Sequence, residues 1–534
     1  MTLSRRHALA VGLGALAALG PRRARAQSTR RGGVLKVFGP EPASFDVHET
    51  TAAPTLVLSS LVRRTLFKID VGATPGPAGL TLRPDLALRS EVADGGRTVT
   101  LVLRRGVRWE DRPPLQGREL TAADVRYALE RALRKSAHAG RLGRVEAVEA
   151  PARHVVRVRL AEAFPPLLHA LAEPWTAILP REIEERLADF RSAASLLGCG
   201  PFALLRYEPG VKAVFTRNPD YYRPGRPLLE RVEWILLPDR ATQLSLFRAG
   251  QVELPAHDAR VGRPEVADLQ AESPGHRVRL WEPLTVRALA FRTDRPPFSD
   301  VRVRRAFSLA IDRPSWVREH LDGQGAEGAS PLPAALRSWR LGARELGEGA
   351  RWLAHDPAQA RALLAAAGFP AGLRVKCATW PGDFGEHAAD LARLASSLRQ
   401  IGVELQLHSE DRDRHVRDTL LGRFEETTWG PSFPSYELDG HLWGTLRSGV
   451  PTNRSHVADA DLDALLDAQR RARAPGERRR LVAAIQRHAA DRVYYVYTPS
   501  PRAIAAWAPW VRGFIPTGAL DFGAALERVW LNRE

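Results

Sequence analysis

Across residues 356–407 the hydrophobic period switches between helix and strand, and that alternation limits the folds open to the chain. Asp356 and Pro357 stand as N-cap and first helical residue, Leu363, Leu364 and Ala367 line one face, and Gly368 with Pro370 ends the segment. Residues 374–378 are strand-like. Residues 388–400 return to helical spacing, with Leu391, Leu394, Ala395 and Leu398 on one side. Residues 403–407 alternate as a strand does. Helices and strands interleaved in this way argue for α/β domains.

The first half has the same character. Gly32-Gly33 leads into a strand over residues 34–38, and Asp94-Gly95-Gly96 separates two strand-like runs, a hairpin signal. Thr121 is placed to cap a helix, Asp124 stands where a capping-box acid belongs, and Val125, Ala128, Leu129, Ala132 and Leu133 fall on one face. A chain of 534 residues is too long for one core and implies two to four domains. There is no internal repeat or low-complexity linker.

The N-terminus reads differently. Arg5-Arg6 precede an apolar run over residues 8–19, and Ala24 and Ala26 make an A-x-A end. The run is shorter than the roughly 20 residues of a membrane span. These are the parts of a secretory signal peptide, expected to be cleaved after Ala26, and the paired arginines resemble the twin-arginine variant. No Cys follows the run, which argues against a lipid anchor. The segment's five arginines account for five of the +17 formal charges, leaving +12. The remaining basic residues are interleaved with acids, which argues against a nucleic-acid partner. The densest run, Arg470-Arg471-Ala472-Arg473 with Arg478-Arg479-Arg480, falls in a helical pattern and is expected to be a solvated face. Cys199 and Cys377 are expected to be separate buried thiols. Met1 is the single methionine, so thioether sites for a soft metal are absent.

Five blocks in order resemble family 5 of the extracytoplasmic solute-binding proteins, the dipeptide, oligopeptide and nickel receptors of ABC importers. They are Gly32-Gly33-Val34-Leu35-Lys36-Val37 with Pro42-Ala43-Ser44-Phe45-Asp46; Arg83-Pro84-Asp85-Leu86-Ala87 through Trp109 to Leu120-Thr121-Ala122-Ala123-Asp124-Val125; Gly198-Cys199-Gly200-Pro201-Phe202 with Arg217-Asn218-Pro219-Asp220-Tyr221-Tyr222; Leu289-Ala290-Phe291 with Asp300-Val301-Arg302-Val303-Arg304-Arg305-Ala306; and the helix that begins at Asp356. The resemblance implies an α/β fold of the two-lobed periplasmic-binding-protein kind, with an additional domain, a hinge and a ligand cleft between the lobes. Residues 27–70, 198–287 and 505–534 are expected to form the core of lobe I, residues 71–197 its additional domain, and residues 288–504 lobe II. It further implies a periplasmic monomer that captures a peptide or other small organic solute and delivers it to a membrane permease and ATPase, with no cofactor.

In peptide-binding members an aspartate in a Trp-rich loop pairs with the ligand's ammonium group. The corresponding loop here is Thr428-Trp429-Gly430-Pro431-Ser432-Phe433-Pro434-Ser435-Tyr436, and the expected Asp-Pro step reads Pro434-Ser435. Glu437 and Asp439 are the nearby substitutes. Trp429, Phe433, Tyr436 and Trp443 are candidate ligand-stacking rings, Trp429 foremost, or else core. Arg292, where the family commonly has Asn, either engages an anionic ligand or pairs with Asp294. Trp380 and Tyr497 are further cleft candidates. No His or Asp cluster has metal spacing. No G-x-S-x-G, H-E-x-x-H or G-x-x-x-x-G-K-[ST] motif is present, which disfavours the alternative of an exported hydrolase. A solute sensor uncoupled from transport is the other alternative.

Overall fold

The computed structural model describes residues 31–50, 52–70, 80–237, 239–255, 260–380, 386–516 and 518–533. The expected signal segment lies outside them. Val34–Gly39 (β1) buries Leu35 and Val37 completely. Ala87–Ala93 (β2) and Thr98–Leu103 (β3) form the hairpin expected around Asp94. Ala122–Lys135 (α1) follows, and its capping box closes as its sequence suggests, the Asp124 carboxylate accepting from the Thr121 amide at 2.8 Å. Val145–Ala152 (β4) and Val155–Leu160 (β5) complete an antiparallel sheet ordered β2-β3-β5-β4. Phe202–Glu208 (β6), Lys212–Arg217 (β7), Arg231–Leu236 (β8) and Leu254–Pro255 (β9) join β1 in a second sheet, ordered β9-β1-β8-β7-β6.

Arg277–Trp281 (β10) precedes a change of sheet. Arg287–Phe291 (β11) is followed by Val301–Leu309 (α2) and Pro357–Ala366 (α3). Their N-caps are Asp300 and Asp356, which accept from the amides of Arg302 and Gln359, each at 2.8 Å. Next come Leu373–Thr379 (β12), Glu386–Arg399 (α4), Val403–Ser409 (β13), Arg412–Leu420 (α5) and Thr427–Pro431 (β14). Leu438–Leu446 (α6), Ala460–Arg471 (α7), Pro475–Arg492 (α8), Tyr495–Thr498 (β15) and Ala503–Trp507 (β16) follow. The third sheet runs β13-β12-β14-β11-β15.

This sheet is covered on both faces. Leu289 and Phe291 point into a core with α2, α3 and α4, while Ala288 and Ala290 point into another with α6, α7 and α8. β16 returns to pair with β10, placing Ala503 opposite Trp281. Two short segments, residues 282–286 and 499–502, therefore cross between the halves of the molecule, and the Arg287 amide donates to Ser500 Oγ at 3.0 Å beside them. Paired crossings of this kind are a hinge. Cys199 and Cys377 are free and buried in separate cores, and burial pushes the Cys377 thiol up to about 12.

Candidate functional site

β12 runs parallel to both β13 and β14, which lie on its two sides. The chain thus leaves β12 for one neighbour and returns on the other. In open α/β sheets such a reversal is where the connections part and ligands bind beyond the carboxyl ends of the strands, and that end of the third sheet is the candidate crevice. Trp380, one residue past β12, sets the edge of its ring against Gly430 near the end of β14. A Cβ on Gly430 would meet its ring carbons at 3.0 and 3.2 Å, so a side chain there would crowd the ring by a few tenths of an ångström. Trp380 also packs on His387 and His415, with centroids 4.0 and 4.8 Å away. Arg287 pairs in register with Pro431, is salt-bridged to Asp390, and stands 5.8 Å over the Trp429 ring. Tyr495 and Tyr497 stack at 5.8 Å on β15. Arg454 donates from Nη1 to the Pro431 carbonyl at 3.3 Å and lies 5.7 Å over the Tyr495 ring.

Burial governs the electrostatics here. It holds His387 down to about 3, with the Arg287 charge adding to the effect. Burial also lowers His415, against the opposing pull of Glu410. Both imidazoles are neutral near pH 7, and burial holds the Tyr497 hydroxyl well above its ordinary range. The crevice therefore offers neutral rings, and guanidinium groups as its cations.

Beyond Pro431 the chain enters the other half of the molecule. Tyr436 is buried in the core built around β1 and the β2–β5 sheet, and its hydroxyl accepts from the Leu520 amide at 3.1 Å. Glu173 is the centre of this contact. Its Oε1 accepts from Ser435 Oγ at 2.7 Å, from the Tyr436 amide at 3.1 Å and from Arg141 at 2.5 Å, and its Oε2 accepts from Trp175 Nε1 at 2.6 Å. Arg141 also reaches Ser435 Oγ. Phe433 packs on His138, centroids 4.4 Å apart, with the Arg141 guanidinium 5.7 Å from its ring. Trp443 presses on Gly140, where a Cβ would lie 2.6 Å from the ring.

The candidates thus separate. Trp380 and Tyr497 stand at the crevice, and Phe433, Tyr436 and Trp443 at the contact between the halves. Trp429 lies inside β14, not at its end. It is fully buried in the α2–α4 core, and its Nε1 donates to Thr498 Oγ1 at 3.1 Å. Arg292 follows Phe291, which pairs with Thr427 at the opposite end of β14 from Pro431. It makes the second of the contacts open to it, donating to Asp294 at 2.8 and 2.6 Å and to the Phe424 carbonyl at 3.1 Å. Glu437 and Asp439, the two acids nearest the missing aspartate, are already paired, with Arg478 at 2.6 Å and Arg470 at 3.2 Å.

The solvated face expected for the basic run is corrected at Arg470. That residue is buried, lies 3.8 Å over the Trp443 ring and donates to the Gly140 carbonyl at 2.5 Å. Arg471 pairs with Glu162 and Arg473 reaches the Gly95 carbonyl, so this end of α7 packs on the β2–β5 sheet domain. The motifs left Glu173, Arg141, His138, His387, His415 and Arg454 unmarked.

Residues 81–446 match the family model for bacterial extracellular solute-binding proteins, family 5, middle region. The chain belongs to that family. It is 25% identical over 484 residues to di/tripeptide-binding protein 2 of Pseudomonas aeruginosa (strain UCBPP-PA14), covering 86% of each chain. It is 24% identical over 405 residues to the probable deoxycholate-binding periplasmic protein YgiS of Escherichia coli (strain K12), covering 72% of this chain and 74% of that one. Among solved structures, the periplasmic binding protein DppA of Helicobacter pylori, in complex with the peptide STSA, superposes with a TM-score of 0.82 at 22% identity, over 94% of this chain and 99% of that one. The two-lobed solute-binding fold is therefore that of this chain. No helix among the described residues is long and apolar enough to cross a membrane.

Proposed function

We propose that this family member is the exported, substrate-binding component of an ABC importer, and that it holds a small organic solute in the crevice past β12 and β14. The supporting observation is the reversal of strand order at β12, with Trp380, Tyr497, Gly430 and Arg454 at one end of the strands, while the next residues of the same loop bridge to the half proposed as the first lobe. Trp380 and Tyr497 are assigned to the ligand, with Phe433 beside it. Trp429 supports the crevice floor from the core. Tyr436 and Trp443 hold the lobes together. Residues 27–70, 198–287 and 505–534 are assigned to lobe I, residues 71–197 to its additional domain and residues 288–504 to lobe II.

Two of the relatives above are named for peptides and for deoxycholate, solutes with little chemistry in common. The ligand of this chain is therefore to be read from its own residues. Export by the twin-arginine route, through the segment ending at Ala26, carries folded protein. Two unpaired buried thiols are compatible with folding in the reducing cytoplasm. The test is a thermal-shift screen with mass spectrometry of captured solutes, followed by small-angle scattering. A solute that raises the melting temperature, compacts the particle and is recovered unchanged supports receptor function. Turnover of the solute, or stabilisation without compaction, defeats it.

A further inference from the structure

Buried arginines among the described residues fall into two groups, and Arg454 belongs with those that lack an acid, with a single main-chain carbonyl and Tyr495 as its contacts. Arg64, Arg131 and Arg141 each meet a carboxylate, of Asp85, Asp46 and Glu173. Arg63, Arg304 and Arg313 meet no acid at ion-pair distance but are ringed by main-chain carbonyls, those of Phe45 and Ser195 for the first, Phe298, Ser299, Arg492 and Val493 for the second, and Ser308, Leu353 and Tyr497 for the third. Arg454 is 6% exposed, and among the described residues no carboxylate stands within ion-pair distance of it. Its contacts are the Pro431 carbonyl at 3.3 Å and Tyr495. A guanidinium stays charged, so with one carbonyl and a tyrosine as its neighbours the charge of Arg454 has no counter-charge beside it.

Its position gives that imbalance a use. Pro431 is the last residue of β14, at the strand reversal, so the Arg454 charge lies beside the place proposed for the solute. The other charges around the loop are neutralised within the protein: Arg287 by Asp390, Arg141 by Glu173, Arg478 by Glu437 and Arg470 by Asp439. Of the charged residues named here, Arg454 alone has no counter-charge, and none of these four acids is left to take an ammonium group.

We propose that Arg454 is the anion-recognition residue of this receptor, and that its solute is an organic anion, carboxylate or phosphate, for which an α-ammonium group is dispensable. The inference rests on the receptor reading above. Its test uses the full mature chain with matched probes: N-acetyl-Ala-Phe and its amide, phenylacetate and phenylacetamide, glutarate and glutaramide, glucose 6-phosphate and glucose. Capture from a bacterial metabolite extract, read by mass spectrometry in both polarities, accompanies them.

The expected result is that wild type takes acids over their neutral partners. Arg454→Gln should weaken that binding about ten- to a hundredfold, and Arg454→Lys should keep the preference for acids at lower affinity. Circular dichroism checks that each variant folds. Should Arg454→Gln not fold, the acid-over-amide preference of wild type and Arg454→Lys still decides the matter. Equal binding of an acid and its amide, capture of a neutral or cationic solute, or undiminished binding by folded Arg454→Gln overturns the assignment alone. Capture of nothing by wild type overturns the receptor reading and the assignment with it.

Discussion

Replacing Glu173 by Gln tests how the lobes are held together. The carboxylate joins two donors that follow β14, Ser435 Oγ and the Tyr436 amide, to Arg141 and Trp175, which stand in the half of the molecule proposed as lobe I. Arg141 is 6% exposed and Glu173 3%, so removing the charge leaves a buried guanidinium without its partner, at a cost of about 3–5 kcal/mol. Part of that loss falls within the first lobe. The interlobe part follows from the two bonds that cross: a hydrogen bond to a charged acceptor contributes about 1 kcal/mol more than one to a neutral acceptor, so about 2 kcal/mol is lost across the interface. That is roughly a thirtyfold fall in the ratio of closed to open molecules. Two measurements separate the parts. Thermal unfolding reads the total. Small-angle scattering without added solute reads the opening, as a larger radius of gyration for Glu173→Gln. A double-mutant cycle with Ser435→Ala isolates the bridge, with an expected coupling of about 0.5–3 kcal/mol. Zero coupling together with superimposable scattering curves for wild type and Glu173→Gln would refute the bridge as a determinant of closure.

Gly430→Ala should crowd the Trp380 ring by a few tenths of an ångström, costing about 1 kcal/mol of stability and weakening the thermal shift given by any solute that wild type binds; an unchanged shift removes Trp380 from the site. Burial holds His387 and His441 down to about 3 and 4, so the folded state binds fewer protons than the unfolded chain below about pH 6.5, and their contribution is present above that pH and lost as pH falls toward 4. Urea midpoints at pH 7 and 5 should therefore differ less in His441→Gln than in wild type, and an identical difference refutes this. Glu110 acts in the opposite sense, burial raising its carboxyl to about 7, so that it destabilises the fold as pH rises from about 4.5 through 7, and Glu110→Gln should gain stability over wild type at pH 8. Cys199 and Cys377 should resist a thiol reagent such as Ellman's in native buffer and give two equivalents in guanidinium chloride; native reactivity would show that one of the cores opens readily.

Some of this molecule was legible residue by residue. The caps at Thr121, Asp300 and Asp356 act over two or three residues, so spacing alone exposes them. The Arg292–Asp294 pair is equally local. Trp429 shows where local reading stops. Alternation tells which side chains share a face, but β14 is covered on both faces, so the pattern does not say whether a ring meets core or crevice. The bridge at Glu173 joins residues 262 positions from Ser435, and no spacing rule reaches that far.

By itself, then, the sequence determined the order of helices and strands, their caps and the family. These depend on period and on neighbours a few residues away. The tertiary structure decided where the strand order of the third sheet reverses, that Arg470 is buried against Trp443 and Gly140 instead of solvated, and that Arg454 lacks the counter-charge its neighbours have. Burial and charge pairing are set by segments hundreds of residues apart, and they exist only once those segments have packed.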